Sequence, residues 1–346
     1  MDLQILWFVL VAFFWSGYFV LEGFDFGVGM LLPFLPRDER ERGAMFESIG
    51  PVWDANEVWL VVAGAAIFAA FPAWYAAAFS SLYLALLLVL FFLIIRVVSF
   101  EWRGKGGTLR WRRFWTGANA VGSYGASLIW GIGLANLLQG LPLNSSGDFT
   151  GTFWDLFSPY TVLAGLAVVA LFAFHGATFL MIRTVGDLHA RAERAAARLS
   201  IVAIVLGAGF LAATIAVAID KNDKSVFPPI LPALIAAVAL LAAAFLVRAR
   251  SGWAFVLTAL GTVAAVATLF TSLYPRVMVS DPNFGNSLTV SGAASAHYTL
   301  AVMSIVALIA MPGVLLYQGW TYHVFRRRVG AEEAQAERAL RAVPEG

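Results

Sequence analysis

The chain has 346 residues, 60% of them hydrophobic and only 13% charged, whereas a soluble domain is about 45–50% apolar and about 25% charged; this is the composition of a polytopic membrane protein. The absence of cysteine excludes disulfides, thiolate metal sites, iron–sulfur clusters and thiol catalysis, so any redox role must come through another cofactor or a partner. The formal net charge of +2 decides nothing by itself; the placement of charge along the chain does.

A helix needs about 20 apolar residues to cross the hydrocarbon core. Such runs predict a single integral membrane domain over 1–346 with nine spans, near 3–35, 52–73, 76–99, 113–138, 158–182, 199–219, 229–247, 253–273 and 297–325. The first span lacks a basic n-region and a small-residue cleavage site, and it reads as a retained helix rather than a signal peptide. It carries "EGFDFGVGML" (22–31), two carboxylates and three glycines inside an otherwise apolar run. The following "RDERERGAMFESIG" (37–50) mixes charges with Met45, Phe46 and Ile49, which fits a short amphipathic surface segment or a solvated connector. The second span opens with "GPVWDANEVWL" and is separated from the third only by "PAW" around Pro72, where proline cannot donate a helical hydrogen bond and a hairpin turn is expected. Two connectors of about twenty residues, roughly 139–157 and 274–296, are rich in Gly, Pro, Asn and Ser. The segment 326–346 reads as a polar cytoplasmic tail.

Basic residues fix an expected orientation. The odd connectors and the tail hold Arg37, Arg40 and Arg42; Arg103, Lys105, Arg110, Arg112 and Arg113; Arg183, Arg191, Arg194 and Arg198; Arg248 and Arg250; and Arg326, Arg327, Arg328, Arg338 and Arg341. The opposite side has only Lys221, Lys224 and Arg276, and Arg96 sits at the odd-connector end of its own helix. By the positive-inside rule this places the N-terminus outside and the C-terminus in the cytoplasm.

An Asp or Glu at the membrane centre costs about 2.5–3.5 kcal/mol on insertion scales, so such residues face a cavity or a partner rather than lipid. Glu22 and Asp25 are three apart, as are Asp54 and Glu57, which sets each pair on one helical face. Both pairs fall in the inner half of the membrane, as a proton relay from the cytoplasm requires. The alternative is structural: Asp54 caps its helix and the other acids pair with arginines or backbone. Asn56, Trp53 and Trp59 flank the second pair and read as polar packing and interface aromatics. Gly23, Gly27 and Gly29 give the first helix a small-residue face that lets another backbone approach, so the acids are expected in a protein-lined crevice.

There are four histidines. A bis-histidine haem needs both ligands at one depth, whereas His175 lies in the inner half of the fifth span and His297 opens the ninth at the outer surface. The residues thus predict no haem bound by this chain alone, no metal site, and a hydrogen-bonded core role for His175. Met181 and Met303 read as packing residues.

In order, "EGFDFGVGML", "GPVWDANEVWL", "FAAFPAWYAAAFSSLYLAL", "NLLQGLPLN", "GATFLMIRTVGDLHAR" and "NSLTV" make the chain similar to subunit II of the cytochrome bd quinol oxidase, over nearly its whole length. The resemblance implies an all-α fold of two four-helix bundles plus one peripheral helix in a bacterial cytoplasmic membrane. It implies a haem-free partner that stabilises subunit I, where haem b and haem d reside and quinol is oxidised as oxygen is reduced to water with protons from the cytoplasm. It also implies that Asp54, in the "WD" motif, marks a proton route, with Asp25 as its companion; Glu57 and Glu22 join that route on the residue reading alone. Trp59 falls where the family has a tryptophan near an oxygen route. Some members hold a structural quinone in this subunit. The connector from Asp220 to Pro229 is only about ten residues, so the long insertions of some relatives, and the small accessory subunits of others, do not transfer. The competing reading from a different class is a secondary transporter whose midplane acids bind a coupling cation; such folds favour internal repeats, and the sequence has no repeat of fixed period.

Overall fold

The computed structural model describes residues 2–330; the remainder of the expected tail, with Arg338 and Arg341, lies outside the described residues. Among these residues eight helices are long and apolar enough to cross a membrane: α1 (Leu3–Leu31), α3 (Trp53–Ala70), α5 (Tyr83–Trp102), α6 (Leu109–Gln139), α7 (Pro159–Arg183), α8 (Gly186–Asn222), α10 (Ser251–Leu273) and α12 (His297–Val324). The expected span near 229–247 is α9 (Ile230–Leu246), an apolar helix whose 17 residues lie at the lower end of the range of about 17–25 that crosses a membrane. The remaining helices are α2 (Glu39–Ile49), α4 (Pro72–Ser81) and α11 (Val290–Ala293).

Three expected boundaries move. The run read as 76–99 is broken at Leu82: α4 is a separate ten-residue helix with Pro72 in its first turn, where its missing N–H leaves no bond unmade. At its other end the Ser80 and Ser81 hydroxyls donate to the Ala77 carbonyl at 3.1 and 2.7 Å, competing with the backbone ladder. α1 stops at Leu31 rather than 35. The fifth connector is not a loop, because "DLHARAERAAARL" is rich in strong helix formers and extends α8 to 37 residues, about 55 Å.

The segment 37–50 settles as α2. The Asp38 side chain caps it, accepting from the Arg40 and Glu41 amides at 3.0 and 2.9 Å, and Met45 and Ile49 are buried in the protein.

α1 is the axis of the fold, packing against α3, α6, α7, α10 and α12. At its crossing with α7 a Cβ on Gly27 would run into the Phe172 carbonyl and come within 2.8 Å of the Gly176 Cα. This is the close approach expected of Gly23 and Gly27; Gly23 lies under the Phe172 ring, and Gly29 faces Ser123 and Asn119 of α6. Neither backbone can yield a methyl's width without shifting its whole helix. Gly27→Ala is therefore expected to lower stability by about 1–3 kcal/mol or more, read as a fall in the melting temperature of the purified complex.

One end of the bundle is closed by the two long connectors acting together. The strands β1 (Arg276–Met278) and β2 (Leu288–Thr289) pair antiparallel. The first connector joins them: the Val279 amide donates to the Leu137 carbonyl at 2.9 Å, and the Leu141 amide donates to the Val279 carbonyl at 3.1 Å.

Candidate functional site: a buried acid cluster around Arg96

Glu22 and Asp25 are fully buried on α1. Asp25 lies six residues before the end of the helix at Leu31, about 9 Å along the axis. Facing them from α5 is Arg96, also fully buried. Its Nη1 lies 2.5 Å from Glu22 Oε1 and 3.6 Å from Glu57 Oε1 of α3. A lone arginine in the apolar run "LFFLIIRVVSF" is the signal that marks this centre, since an intramembrane charge is retained only with a partner.

Packing holds the guanidinium in place. Its Cζ stands 4.8 Å from the Phe26 ring centroid and 5.4 Å from that of Phe100, and Phe100 stacks on Trp53 at 5.0 Å. Behind it, α6 comes close because Gly122 has no side chain to meet the Phe92 carbonyl and Arg96 Cβ. Asn119 Nδ2 then donates to Ser99 Oγ at 2.8 Å, and Ser99 Oγ donates to the Arg96 carbonyl at 2.5 Å.

Asp25 is tied to a second set of partners through Asn56. Asn56 Nδ2 donates to Asp25 Oδ2 at 2.6 Å, and its Oδ1 accepts from Gln318 Nε2 at 3.1 Å and from the Tyr322 hydroxyl at 2.8 Å. The expected packing residue is thus a junction of α1, α3 and α12. Four polar atoms of the cluster, Glu22 Oε2, Asp25 Oδ1, Arg96 Nε and Arg96 Nη2, are buried without a hydrogen-bond partner among the described residues, the situation in which ordered water usually bonds.

The other expected residues fall as follows. Glu57 lies at the cluster's rim, its side chain 20% exposed. Asp54, one turn earlier, is exposed, on the same α3 stripe as Val58, Val61 and Phe68. It does not cap the helix, whose N-cap is Val52 without a side-chain bond. Trp59 is buried against Gly17, its ring 5.9 Å from that of Phe13. His175 has a partner at each ring nitrogen, Thr258 Oγ1 at 2.6 Å from Nδ1 and the Val20 carbonyl at 3.0 Å from Nε2, and it stacks on Phe255 at 4.8 Å. Among the described residues no group of three His, Cys, Asp or Glu is placed to hold a metal ion.

Comparison with known proteins agrees over almost the full length. The sequence model of the family described as cytochrome bd terminal oxidase subunit II matches residues 3–325. The chain is 41% identical to the cytochrome bd ubiquinol oxidase subunit 2 of Bacillus subtilis (strain 168), covering 96% of this chain and 98% of that one. It is 36% identical to the cytochrome bd-I ubiquinol oxidase subunit 2 of Escherichia coli (strain K12), over 96% and 97% of the two chains. Its fold resembles a chain of the bd oxidase from Geobacillus thermodenitrificans with a TM-score of 0.76 at 17% identity, over 94% of this chain and 97% of that one.

Proposed function

The chain belongs to the cytochrome bd terminal oxidase subunit II family, and from that premise we propose that it is the haem-free partner of subunit I and carries cytoplasmic protons toward the site of oxygen reduction. The observation that carries this reading is the single buried guanidinium shared by Glu22 and Glu57, with Asp25 beside them and Asp54 one turn outward. One cation balances one carboxylate; the remaining carboxyls can take up and release protons. The route runs from exposed Asp54 through Glu57 to Asp25, over water bonded to the partnerless polar atoms of the cluster. Glu22, in the shorter contact with Arg96, serves as its fixed counterion.

Subunit I is assigned to the surface of α3 and α12, where Val61, Phe68, Leu308, Ile309 and Leu316 are each more than 60% exposed and form an apolar face beside exposed Asp54. The haems b and d belong to subunit I: in this chain both nitrogens of His175 are already engaged by Thr258 and Val20. The groove between α3, α4, α5 and α6, of about 710 Å³, suits the structural quinone that some members hold, since its walls are apolar and aromatic, with Trp74, Tyr75 and Phe79 among them. We also assign to the chain two four-helix bundles plus one peripheral helix, a bacterial cytoplasmic membrane, an external N-terminus, and an oxygen route beside Trp59. No observation favours the transporter.

The test is Asp54→Asn in the assembled oxidase. Because asparagine keeps the shape and polarity of Asp54 at the surface assigned to subunit I, and Asp54 does not cap its helix, assembly and haem content should be retained while oxygen consumption falls severalfold. Unchanged turnover would remove Asp54 from the route.

A further inference from the structure

The corner where α5 ends and α6 begins has a chemistry that the proton route does not use. From 101 to 113, "EWRGKGGTLRWRR", five cations accompany one acid, Glu101. Arg103 is committed, with its Nη2 2.5 Å from Glu39 Oε2 and its Nε 3.0 Å from Thr116 Oγ1. Lys105, Arg110 and Arg113 are exposed and Arg112 is half-buried; among the described residues none of these four pairs with an acid.

Two further features make this more than a solvated basic connector. The arginines occupy the first turns of the 31-residue α6, the end at which the helix dipole is positive and favours anions. Three cations there repel the helix terminus and one another, and a bound anion relieves both. They are also interleaved with aromatic and apolar side chains. Trp102, Trp111 and Trp115 cluster with ring centroids 5.6–6.1 Å apart, and Phe114 abuts Trp115 at 5.2 Å. Trp102, Leu109 and Phe114 are 47%, 56% and 63% exposed. The Trp111 indole donates to the Trp102 carbonyl at 2.7 Å, whereas the indole N–H of half-buried Trp115 has no partner among the described residues. Exposed aromatics beside exposed cations, at the ends of two spanning helices, match the boundary between headgroups and acyl chains. An acidic protein surface would satisfy the arginines but leave the apolar side chains unexplained.

We propose that this corner binds an anionic phospholipid, its phosphate held by Arg110, Arg113 and Lys105 and its upper acyl chains lying on Trp102, Leu109 and Phe114. The site depends on the chain being embedded in a membrane and not on the proton route or on which side the corner faces.

The test uses the intact oxidase complex in phosphatidylcholine nanodiscs doped with a photo-crosslinkable phosphatidylglycerol. Adducts are expected in the peptide 102–115. Labelling should weaken about fivefold for each arginine lost in Arg110→Gln and Arg113→Gln and persist in Arg110→Lys and Arg113→Lys, which keep the charge that governs insertion. The wild-type adduct map decides the matter even if the glutamine variants fail to fold. Four results would overturn the proposal: adducts mapping elsewhere, equal labelling by a phosphatidylcholine probe, suppression by inorganic phosphate at constant ionic strength, or protection of the peptide by subunit I.

Discussion

Arg96→Met should abolish accumulation of the assembled complex or lower its melting temperature sharply. The substitution fills much of the same volume but leaves Glu22, with no exposed side-chain surface, facing no cation. Breaking a buried pair from one side costs about 3–5 kcal/mol, a large share of the roughly 5–15 kcal/mol by which folded proteins are stable. The double variant Glu22→Leu, Arg96→Met should recover most of that loss, because replacing both members of a buried pair by apolar groups is often neutral. Recovery should be incomplete, since Glu57 loses its 3.6 Å contact with the guanidinium. Detergent-solubilised complexes compared by size-exclusion profile and thermal midpoint give the answer. A single variant that melts with the parent would mean that the pair contributes nothing to the fold.

Asp25→Asn should have the opposite profile, with intact assembly and poor turnover. Asparagine matches the shape of aspartate and keeps an acceptor for Asn56 Nδ2, now 2.6 Å from Asp25 Oδ2, so the junction of α1, α3 and α12 should hold. What it cannot do is bind and release a proton. Loss of a proton-transferring side chain typically costs about 10²-fold or more in rate, and quinol-driven oxygen consumption should fall on that order while the optical spectrum of the complex is preserved. Normal turnover would show that protons bypass Asp25, and the acid cluster would then be structural.

Much of this arrangement can be read in the residues, and the limits have physical causes. The apolar runs, the Glu22–Asp25 pair and the small-residue face of α1 are local patterns with a period of 3.6, so their existence and facing follow from spacing. Arg96 is equally visible as a lone charge in an apolar helix, although its three carboxylate neighbours are not, because they come from two other helices. Asn56 gives no such sign: its partners Gln318 and Tyr322 are 262 and 266 residues away, and only the rotation of α12 against α3 brings them together. Within α3 itself Asp54 is exposed while Glu57 reaches the rim of the cluster, a separation that i,i+3 spacing does not foretell. The break at Leu82 depends on serine hydroxyls competing with the backbone, and the extension of α8 on propensity outrunning hydropathy.

The ladder that joins Leu141 to Val279 sets a clock on biogenesis. Synthesis at about 5–20 residues per second leaves Leu141 waiting roughly 7–28 s for a partner 138 positions downstream. Throughout that interval the Leu141 amide and the Leu137 carbonyl lack the strand that bonds them in the finished fold, while the helices behind them are already entering the bilayer. Closure of this end is thus a late, long-range event of high contact order, and it is in that window that an insertase or protease would meet an unfinished chain.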